Sequence, residues 1–232
     1  MCNRYTLVEP TKVFEKIAEI LGVPLSKPDW IVERYNVALT QLAPAIINRG
    51  QGAEILPFQF GILTKGTPPL LNNARSETAY AKRSFKSLVP THRAIVPASG
   101  FIDWRTEGAR KIPFHFTLTR GRPMGLAALW SPGDPSHELP PGFVIVTTAP
   151  NELVASIHTR MPVILPENKF TRWLDPAPMA EPEFLEISKS FPSDEMKATE
   201  VSDFINSSRN EGPECLGPPK KRDTQLGLSL SE

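Results

Sequence analysis

The stretch RAIVPASGFIDW, residues 93–104, sets the predicted pattern of the fold: a strand, a turn marked by Pro97 and Gly100, and a second strand. Asp103 lies between Ile102 and Trp104, so alternation along a strand makes its side chain face opposite to both. Aspartate is disfavoured in strands. A purpose for the Asp103 carboxylate is therefore expected.

Short segments with a β pattern flank this stretch on both sides. The chain carries 25 prolines spread along its length, which favours short strands and loops over long helices. Phe143–Thr148 is the clearest buried strand, because four apolar residues in a row precede two threonines. Further β-like segments are expected over residues 5–8, 35–38, 45–47, 58–63, 113–118 and 125–130.

Helical spacing of apolar residues predicts one longer helix, which begins at Pro10 and ends at Gly22. Residues 79–88 are predicted to form a second helix with an exposed basic face. Shorter helices are expected over residues 151–157, with Asn151 as the cap, and over 170–174 and 183–190. The polar cluster at residues 72–78 is most simply a solvated loop.

Length and composition restrict the class of protein. The 232 residues, 40% of them hydrophobic, are enough for one domain with a real core. The formal net charge of +1 requires that any nucleic-acid binding come from a local basic groove. The only cysteines, Cys2 and Cys215, suggest neither a disulfide framework nor a metal site. With no apolar signal segment or membrane span, a soluble cytoplasmic protein is expected.

The first five residues, MCNRY, carry the most distinctive chemistry. If Met1 is removed, Cys2 presents a free α-amine and a thiol on adjacent carbons. An α-amine with a pKa of about 7.7–8.0 is partly unprotonated at neutral pH and can attack an aldehyde. The neighbouring thiol can then close a five-membered thiazolidine ring, favoured by proximity. A cysteine at position 2 also occurs by chance, so the rest of the chain must support this interpretation.

Five stretches of the chain form a recognisable series in the order residues 1–5 (MCNRY), 35–38 (YNVA), 73–78 (NARSET), 96–104 (VPASGFIDW) and 158–165 (HTRMPVIL). Together they resemble the SRAP family (SOS response-associated peptidase) of abasic-site shielding proteins. The resemblance implies an α+β fold, a single domain with a central, mostly antiparallel, barrel-like twisted sheet flanked by short helices. It implies a domain over residues 1–210, followed by a mobile tail over residues 211–232.

The resemblance also implies a function in DNA damage and the SOS response. It implies recognition of an abasic site in single-stranded DNA and covalent capture of the ring-opened sugar by Cys2, at the nucleoid or replication fork. The catalytic positions that carry over are Cys2 as nucleophile, Asn73 for orientation, Asp103 as carboxylate and His158 for proton transfer. The family usually has glutamate at the position of Asp103, which sets this carboxylate back by about one methylene.

The DNA-binding positions that carry over are basic or aromatic. Arginine matches phosphate through its bidentate fork, without reading sequence, so salt should weaken the binding. The phosphate-binding positions are Arg4, Arg75 and Arg160, and the aromatic faces for stacking are Trp104 and Phe60. No cofactor or metal is implied, and a monomer is expected.

Two other functions stay open. In the first, Cys2 is the nucleophile of an N-terminal-nucleophile peptidase or amidohydrolase, with its own α-amine as the base, and removal of Met1 belongs to the same chemistry. A strand-cleaving lyase step on the abasic site is a further activity to consider. In the second, the arginines grip single-stranded DNA without covalent chemistry and Cys2 is incidental.

The C-terminal tail suggests one more partner. Residues Gln225–Leu228 (QLGL) resemble the start of the short peptides that dock on replication sliding clamps. A disordered tail is a usual location for such a peptide. An unbound, solvated tail is the simpler interpretation and is favoured.

Overall fold

Strands dominate the computed structural model, which describes residues 2–65 and 70–219. The strands are β1 Arg4–Leu7, β2 Arg34–Ala38, β3 Leu42–Asn48, β4 Ala53–Phe60, β5 Ile62–Leu63, β6 Leu70–Leu71, β7 Asn73–Arg75, β8 Arg93–Ala98, β9 Gly100–Glu107, β10 Arg110–Leu118, β11 Met124–Ser131, β12 Gly142–Thr148, β13 Met161–Pro162 and β14 Met196–Glu200. The α-helices are α1 Pro10–Leu21, α2 Ser76–Ala79, α3 Glu152–Ala155, α4 Phe170–Leu174 and α5 Glu181–Ile187.

The strands build two larger sheets and one small hairpin. The five-stranded sheet is antiparallel throughout, in the order β14-β10-β9-β1-β2. In the seven-stranded sheet, β11, β8, β3, β4 and β12 pair in sequence, and β12 pairs back with β11, so these five strands close into a ring. β7 and β13 attach to β12, and β5 pairs with β6. The expected α+β fold with a barrel-like, mostly antiparallel sheet is confirmed.

The stretch 93–104 connects the two sheets. β8 belongs to the ring and β9 belongs to the five-stranded sheet, with only Ser99 between them. The sequence predicts a turn marked by Pro97 and Gly100, whereas both residues lie in strands and the chain bends at Ser99, where it changes sheets. Two hydrogen bonds hold this corner to the first strand: the Ser99 amide donates to the Thr6 carbonyl at 2.8 Å, and the Val8 amide donates to Ser99 Oγ at 2.9 Å.

Alternate residues along the ring strands enter two different hydrophobic cores. In β12, Phe143 and Ile145 pack into a core shared with the five-stranded sheet, whereas Val144 and Val146 face the helices. The helix α1 covers this second core with its buried residues 13, 14 and 17. Burial on both faces explains why the sequence of β12 is apolar at consecutive positions.

Of the expected helices, the one at Pro10 and the one capped by Asn151 are confirmed, and the one over residues 79–88 is wrong. The helix that begins at Pro10 ends before Gly22, whose left-handed φ of 66° caps it. Asn151 caps α3 by accepting a hydrogen bond from the Val154 amide at 2.9 Å. The helix expected over residues 79–88 does not form: after α2 the chain follows successive turns through residue 91. Two buried side chains, Phe85 and Val89, fix these turns against the core.

The C-terminal segment is ordered further than the sequence predicts. Residues 203–206 and 213–216 form short 3-10 helices, and Cys215 is fully buried between them and the sheet. Polar composition hides the few contacts that fix this segment, and the domain boundary expected at residue 210 stays a prediction. The expected clamp-docking peptide at Gln225–Leu228 lies outside the described residues. No helix within residues 2–65 and 70–219 is long and apolar enough to span a membrane.

Candidate functional site

The N-terminal segment enters the structure as an inner strand. β1 lies between β9 and β2, so Tyr5 pairs with Phe101 on one side and with Val37 on the other. Tyr5 is fully buried and packs edge-on against Phe60, with ring centroids 5.7 Å apart. These contacts hold the start of the chain in one position. Cys2, two residues before β1, is itself fully buried.

Burial and a nearby carboxylate define the environment of the Cys2 thiol. Its Sγ lies 3.8 Å from the carbonyl oxygen of Arg4, to which it donates. Desolvation, and next the negative charge of Asp103, raise the pKa of the Cys2 thiol far above its ordinary value. The sulfur is therefore held as a neutral thiol.

Asp103, on a strand, and His158, in a connecting segment, come together in the structure. Asp103 lies on β9 and is 3% exposed, and its Oδ2 is 3.6 Å from Nδ1 of His158, which lies in the segment between α3 and β13. Burial raises the pKa of the Asp103 carboxyl, and the positive charge that His158 can carry opposes this shift. Nδ1 of His158 also lies 3.1 Å from the Arg160 amide nitrogen and 3.2 Å from the Arg160 carbonyl oxygen, so the backbone of Arg160 holds the ring in place.

Asn73 connects the ring to the N-terminal segment. It lies on β7, which runs parallel to β12 with Asn73 opposite Ile145. Its Nδ2 donates to Oδ1 of Asn3 at 2.7 Å. Its Oδ1 is buried and accepts no hydrogen bond within the described part of the chain. A buried amide oxygen without a donor is well suited to accept a hydrogen bond from a ligand. The expectation of a solvated loop is therefore wrong at Asn73.

The structure separates the three arginines into different environments. Arg4 is half-buried, and its Nη1 donates to Oδ1 of Asn36 at 2.7 Å and to the Ile205 carbonyl at 3.0 Å. Burial lowers the pKa of Arg4. Both of these acceptors are neutral, so they do not cancel the positive charge of Arg4. Arg75 is exposed at the end of β7.

Arg160 is neutralised within the protein. It donates two hydrogen bonds to the Glu77 carboxylate, at 2.7 and 2.9 Å, and a third to the Thr147 carbonyl at 2.7 Å. Burial would raise the pKa of Glu77, but the hydrogen bonds from Arg160, a backbone hydrogen bond and the charges of Arg160 and Arg75 together outweigh burial and lower the pKa below its usual range. A strand phosphate would have to compete with Glu77 for this guanidinium.

The two aromatic candidates differ in exposure. Trp104 is partly exposed beside a cleft of about 340 Å³, which is also lined by Asn3, Arg4 and Leu39. The Arg4 guanidinium lies over the Trp104 ring, 5.7 Å from its centroid. Phe60, in contrast, is fully buried, with its ring stacked on Phe143 at 5.1 Å. The expectation that Phe60 stacks on a base is therefore wrong, because the ring belongs to the core.

Four polar residues that the sequence interpretation did not assign also contribute to the site. Each binds one of the assigned residues: Asn3 accepts from Asn73, Glu77 binds Arg160, Asn36 binds Arg4, and Oδ1 of Asn206 accepts from the Trp104 indole at 2.7 Å. Asn3, Asn36 and Glu77 all lie inside the five stretches that match the family. Their place in those stretches was the sequence feature that could have identified them. Within the described residues, no group of three or more His, Cys, Asp or Glu side chains could hold a metal ion.

The fold is a closed ring of strands joined to a second sheet. A thiol, a carboxylate and an imidazole lie together near the N-terminus. The protein is thus of a strand-rich class with a polar site at the N-terminus. The chain belongs to the SOS response associated peptidase (SRAP) family, whose model matches residues 1–208.

Two relatives support this membership, and one solved structure supports the fold. The abasic site processing protein YoqW of Bacillus subtilis (strain 168) is 32% identical over 233 residues, covering 93% of this chain and 99% of that one. The abasic site processing protein YedK of Escherichia coli (strain K12) is 31% identical over 223 residues, covering 94% and 100%. A crystal structure from Bacteroides thetaiotaomicron superposes with a TM-score of 0.76 at 24% identity, covering 94% and 99%, and supports the fold.

Proposed function

We propose that this protein captures abasic sites in single-stranded DNA by forming a thiazolidine between Cys2 and the ring-opened sugar, once Met1 has been removed. The observation that carries the proposal is the convergence of the Cys2 thiol, the Asp103–His158 pair and the Asn73 amide around the start of β1. The family relatives named as abasic site processing proteins support the substrate class.

The reaction proceeds with the amine first and the thiol second. The α-amine nitrogen of Cys2 attacks the aldehyde carbon, and the resulting carbinolamine loses one water to give an imine. The thiol sulfur then adds to the imine carbon, and the thiol proton ends on the nitrogen. The net change is the loss of one water. Because burial keeps the Cys2 sulfur protonated, the thiol brings its own proton to the ring closure.

Asp103 and His158 handle the protons of the first step. The amine must lose a proton as the carbinolamine forms, and the departing hydroxyl must gain one. A carboxyl whose pKa is raised by burial exchanges protons closer to neutral pH than an ordinary aspartate. His158, 3.6 Å away, accepts or returns the same proton. Asn73 orients the sugar through its buried amide oxygen.

The acyl-transfer alternative fits this environment less well. A cysteine peptidase needs a thiolate, which requires a lowered pKa from a neighbouring cation or helix N-terminus. Here burial and the Asp103 charge both raise the pKa of the Cys2 thiol. Peptidase activity, self-removal of Met1 and a lyase step remain separate hypotheses, and a Cys2→Ser variant tests the first, since a hydroxyl can support acyl transfer but cannot form a thiazolidine.

Arg4 and Trp104 provide the DNA contact beside the thiol. The Arg4 charge has neutral partners at 2.7 and 3.0 Å, and the Trp104 ring borders the same cleft. A phosphate on Arg4 and a base on Trp104 would hold the strand without reading its sequence. Arg75 and Arg160 are proposed as further phosphate contacts.

Intact mass spectrometry under denaturing conditions tests the proposal directly. The protein is incubated with a single-stranded oligonucleotide that carries one abasic site. We expect a chain that lacks Met1 and gains the oligonucleotide mass minus one water. Cys2→Ala should gain nothing, whereas Cys215→Ala, a matched change at the other buried cysteine, should react like the parent. An adduct on Cys2→Ala, or none on the processed parent chain, would overturn the proposal.

A further inference from the structure

A second cleft opens at the opposite end of β1 from Cys2. It has a volume of about 740 Å³ and lies beside Val8, Ser99 and His115. Six residues separate Cys2 from Val8, and an extended chain rises about 3.3 Å per residue, so roughly 20 Å separate the two sites. The proposed thiazolidine chemistry therefore does not use this cleft.

The rim of this cleft carries an excess of positive charge. Its lining includes five basic side chains and one carboxylate, namely Lys12, Lys16, Arg120, Arg122, Lys197 and Glu9. Three of the five cations form ion pairs, with Glu9, Glu19 and Glu195. The side chains of Arg120 and Lys197 are exposed and make no ion pair within the described residues. Two cations are thus available for an anion.

Arg120 is held in an unusual conformation. Its φ and ψ are 60° and 21°, in the left-handed region, and Gly121 follows with a φ of 64°. Two successive left-handed residues form the kind of tight turn in which Gly, Asn or Asp is normally found. An arginine is disfavoured there because of its Cβ. An unfavourable backbone conformation that presents a charged side chain at a cleft suggests a functional role.

The floor of the cleft is a fixed hydrogen-bonded chain. Oγ of Ser99 lies 2.8 Å from Oγ1 of Thr6, which in turn lies 3.1 Å from Nε2 of His115. Oγ1 of Thr6 also lies 3.3 Å from the Gly100 carbonyl oxygen. A Cβ on Gly100 would lie 2.2 Å from Nε2, so only glycine permits this imidazole position.

Burial keeps the imidazole neutral, because it lowers the pKa of His115 to about 4. The positive charge of the cleft therefore comes from its rim, and its floor offers a hydroxyl group and a neutral imidazole. A ligand that matches both the rim and the floor has an anionic group at one end and a hydrogen-bonding group at the other. A sugar hydroxyl or a base amine joined to a phosphate meets this description, and the volume suits a small ligand.

We propose that this cleft is a second binding site, for a phosphate group carried by a nucleotide, with Arg120 and Lys197 on the phosphate and the Ser99–Thr6–His115 chain on the sugar or base. The phosphate can belong to a free nucleotide or to a strand of nucleic acid. The proposal does not depend on reaction at Cys2.

Calorimetric titration with adenosine monophosphate tests the free-nucleotide source. We expect saturable binding that Arg120→Ala/Lys197→Ala weakens at least about tenfold. A charge-matched control, Arg110→Ala/Lys111→Ala, removes two exposed cations from the far end of β10 and should leave the binding unchanged. Arg120→Gly should weaken binding in the same direction without lowering the melting temperature, because glycine accepts the left-handed turn.

The strand source is tested with an undamaged single-stranded oligonucleotide on the Cys2→Ala protein. Loss of two phosphate contacts should reduce the slope of log affinity against log salt by about 1.4, since each contact contributes about 0.7. Nucleotide binding that depends on Arg120 and Lys197 supports a free nucleotide, and a changed slope alone supports a strand. Absence of saturable nucleotide binding together with an unchanged slope would overturn the proposal.

Discussion

The Asp103 carboxylate and the His158 imidazole approach to 3.6 Å although Asp103 lies on a strand and His158 lies in a connecting segment 55 residues further along the chain. Asp103 is carried by β9 of the five-stranded sheet. His158 precedes β13, which is attached to the ring through β12. The pair therefore depends on how the two sheets are joined at the Ser99 corner.

Asp103→Asn should slow adduct formation at least about 100-fold, because general acid–base groups typically contribute that much or more. The Asn side chain can keep the hydrogen bond from the Trp104 amide, at 3.0 Å in the parent, so the local structure should persist. Time courses on denaturing gels, with an abasic oligonucleotide, measure the rate. Asp103→Glu restores a carboxylate and should recover part of the lost rate of adduct formation.

The stability of the Asp103→Asn variant shows whether a slower reaction comes from lost catalysis or from a damaged fold. Burial raises the folded-state pKa of Asp103, so the ionised carboxylate destabilises the fold above its unfolded pKa of about 3.9. At pH 7 the neutral amide should therefore unfold at the same or a higher urea concentration than the parent. A variant that is both slow and clearly less stable would argue against a catalytic role.

Glu77→Gln should increase affinity for undamaged single-stranded DNA and make it more sensitive to salt. The substitution releases Arg160 from its carboxylate, and the guanidinium can then bind a phosphate. The matched control is Glu54→Gln, which breaks a similar two-bond pair with Arg49 on an exposed edge and should leave DNA affinity unchanged. Fluorescence anisotropy over a range of salt concentrations measures both. Equal effects of the two substitutions would contradict a role for Arg160.

Asn36→Asp should destabilise the protein by about 3 kcal/mol, since it replaces a buried donor with an acceptor. Nδ2 of Asn36 donates to the carbonyls of Ile205, Ser207 and Asn210, at 3.4, 2.9 and 2.8 Å. A carboxylate there would face three carbonyl oxygens, and its attraction to Arg4 compensates only in part. Urea unfolding measures the loss, and protease cleavage should become faster near residue 210. Unchanged protection of that segment would contradict the assignment.

Trp104→Ala and Phe60→Ala should separate DNA binding from stability. Trp104 is partly exposed beside Arg4, so its loss should weaken binding by about 1–3 kcal/mol, the contribution of one stacked base. Phe60 is fully buried, so its truncation should lower the free energy of unfolding by about 3–5 kcal/mol. Anisotropy titrations and urea melts distinguish the two. Normal DNA affinity in Trp104→Ala would exclude the stacking contact.

The neutral imidazole of His115 should make the fold sensitive to acid. Its folded pKa of about 4 lies below the unfolded value of about 6.5, so the unfolded chain takes up the proton first. The contribution of His115 to the free energy of unfolding is complete above pH 6.5 and is lost as the pH falls towards 4. The total loss is on the order of 3 kcal/mol. His115→Gln should flatten the stability curve between these values. His137→Gln, at an exposed loop position, serves as the control and should keep the slope of the parent.

The sequence predicts those parts of the fold that local patterns determine. The apolar run of β12, the amphipathic spacing of α1 and the Asn151 cap each report a local preference, and each is confirmed. The helix expected over residues 79–88 fails because Phe85 and Val89 are fixed by tertiary contacts in consecutive turns. The closure of the ring rests on pairings between distant strands, which no local pattern encodes.

The site was predictable to the extent that its residues lie in recognisable motifs. Asp103 was marked by an acidic side chain in an apolar strand, and Cys2 by its position next to the initiator. The burial of Phe60 was not predictable, because an aromatic residue before a glycine gives the same local sequence pattern in a core and on a surface. The neutralisation of Arg160 by Glu77 requires helix α2 to meet the segment before β13, and no local pattern in the sequence indicates that contact.

The position of β1 between β2 and β9 has a consequence for the order of events during synthesis. Its partner β9 ends at residue 107, so the first strand cannot be enclosed until about half of the chain has left the ribosome. At about 5–20 residues per second this takes roughly 5–20 s. Because Cys2 is fully buried in the folded chain, an aminopeptidase would reach Cys2 most easily within that interval. If Cys2 is the nucleophile that we propose, its exposure by removal of Met1 therefore competes in time with the folding of the first strand.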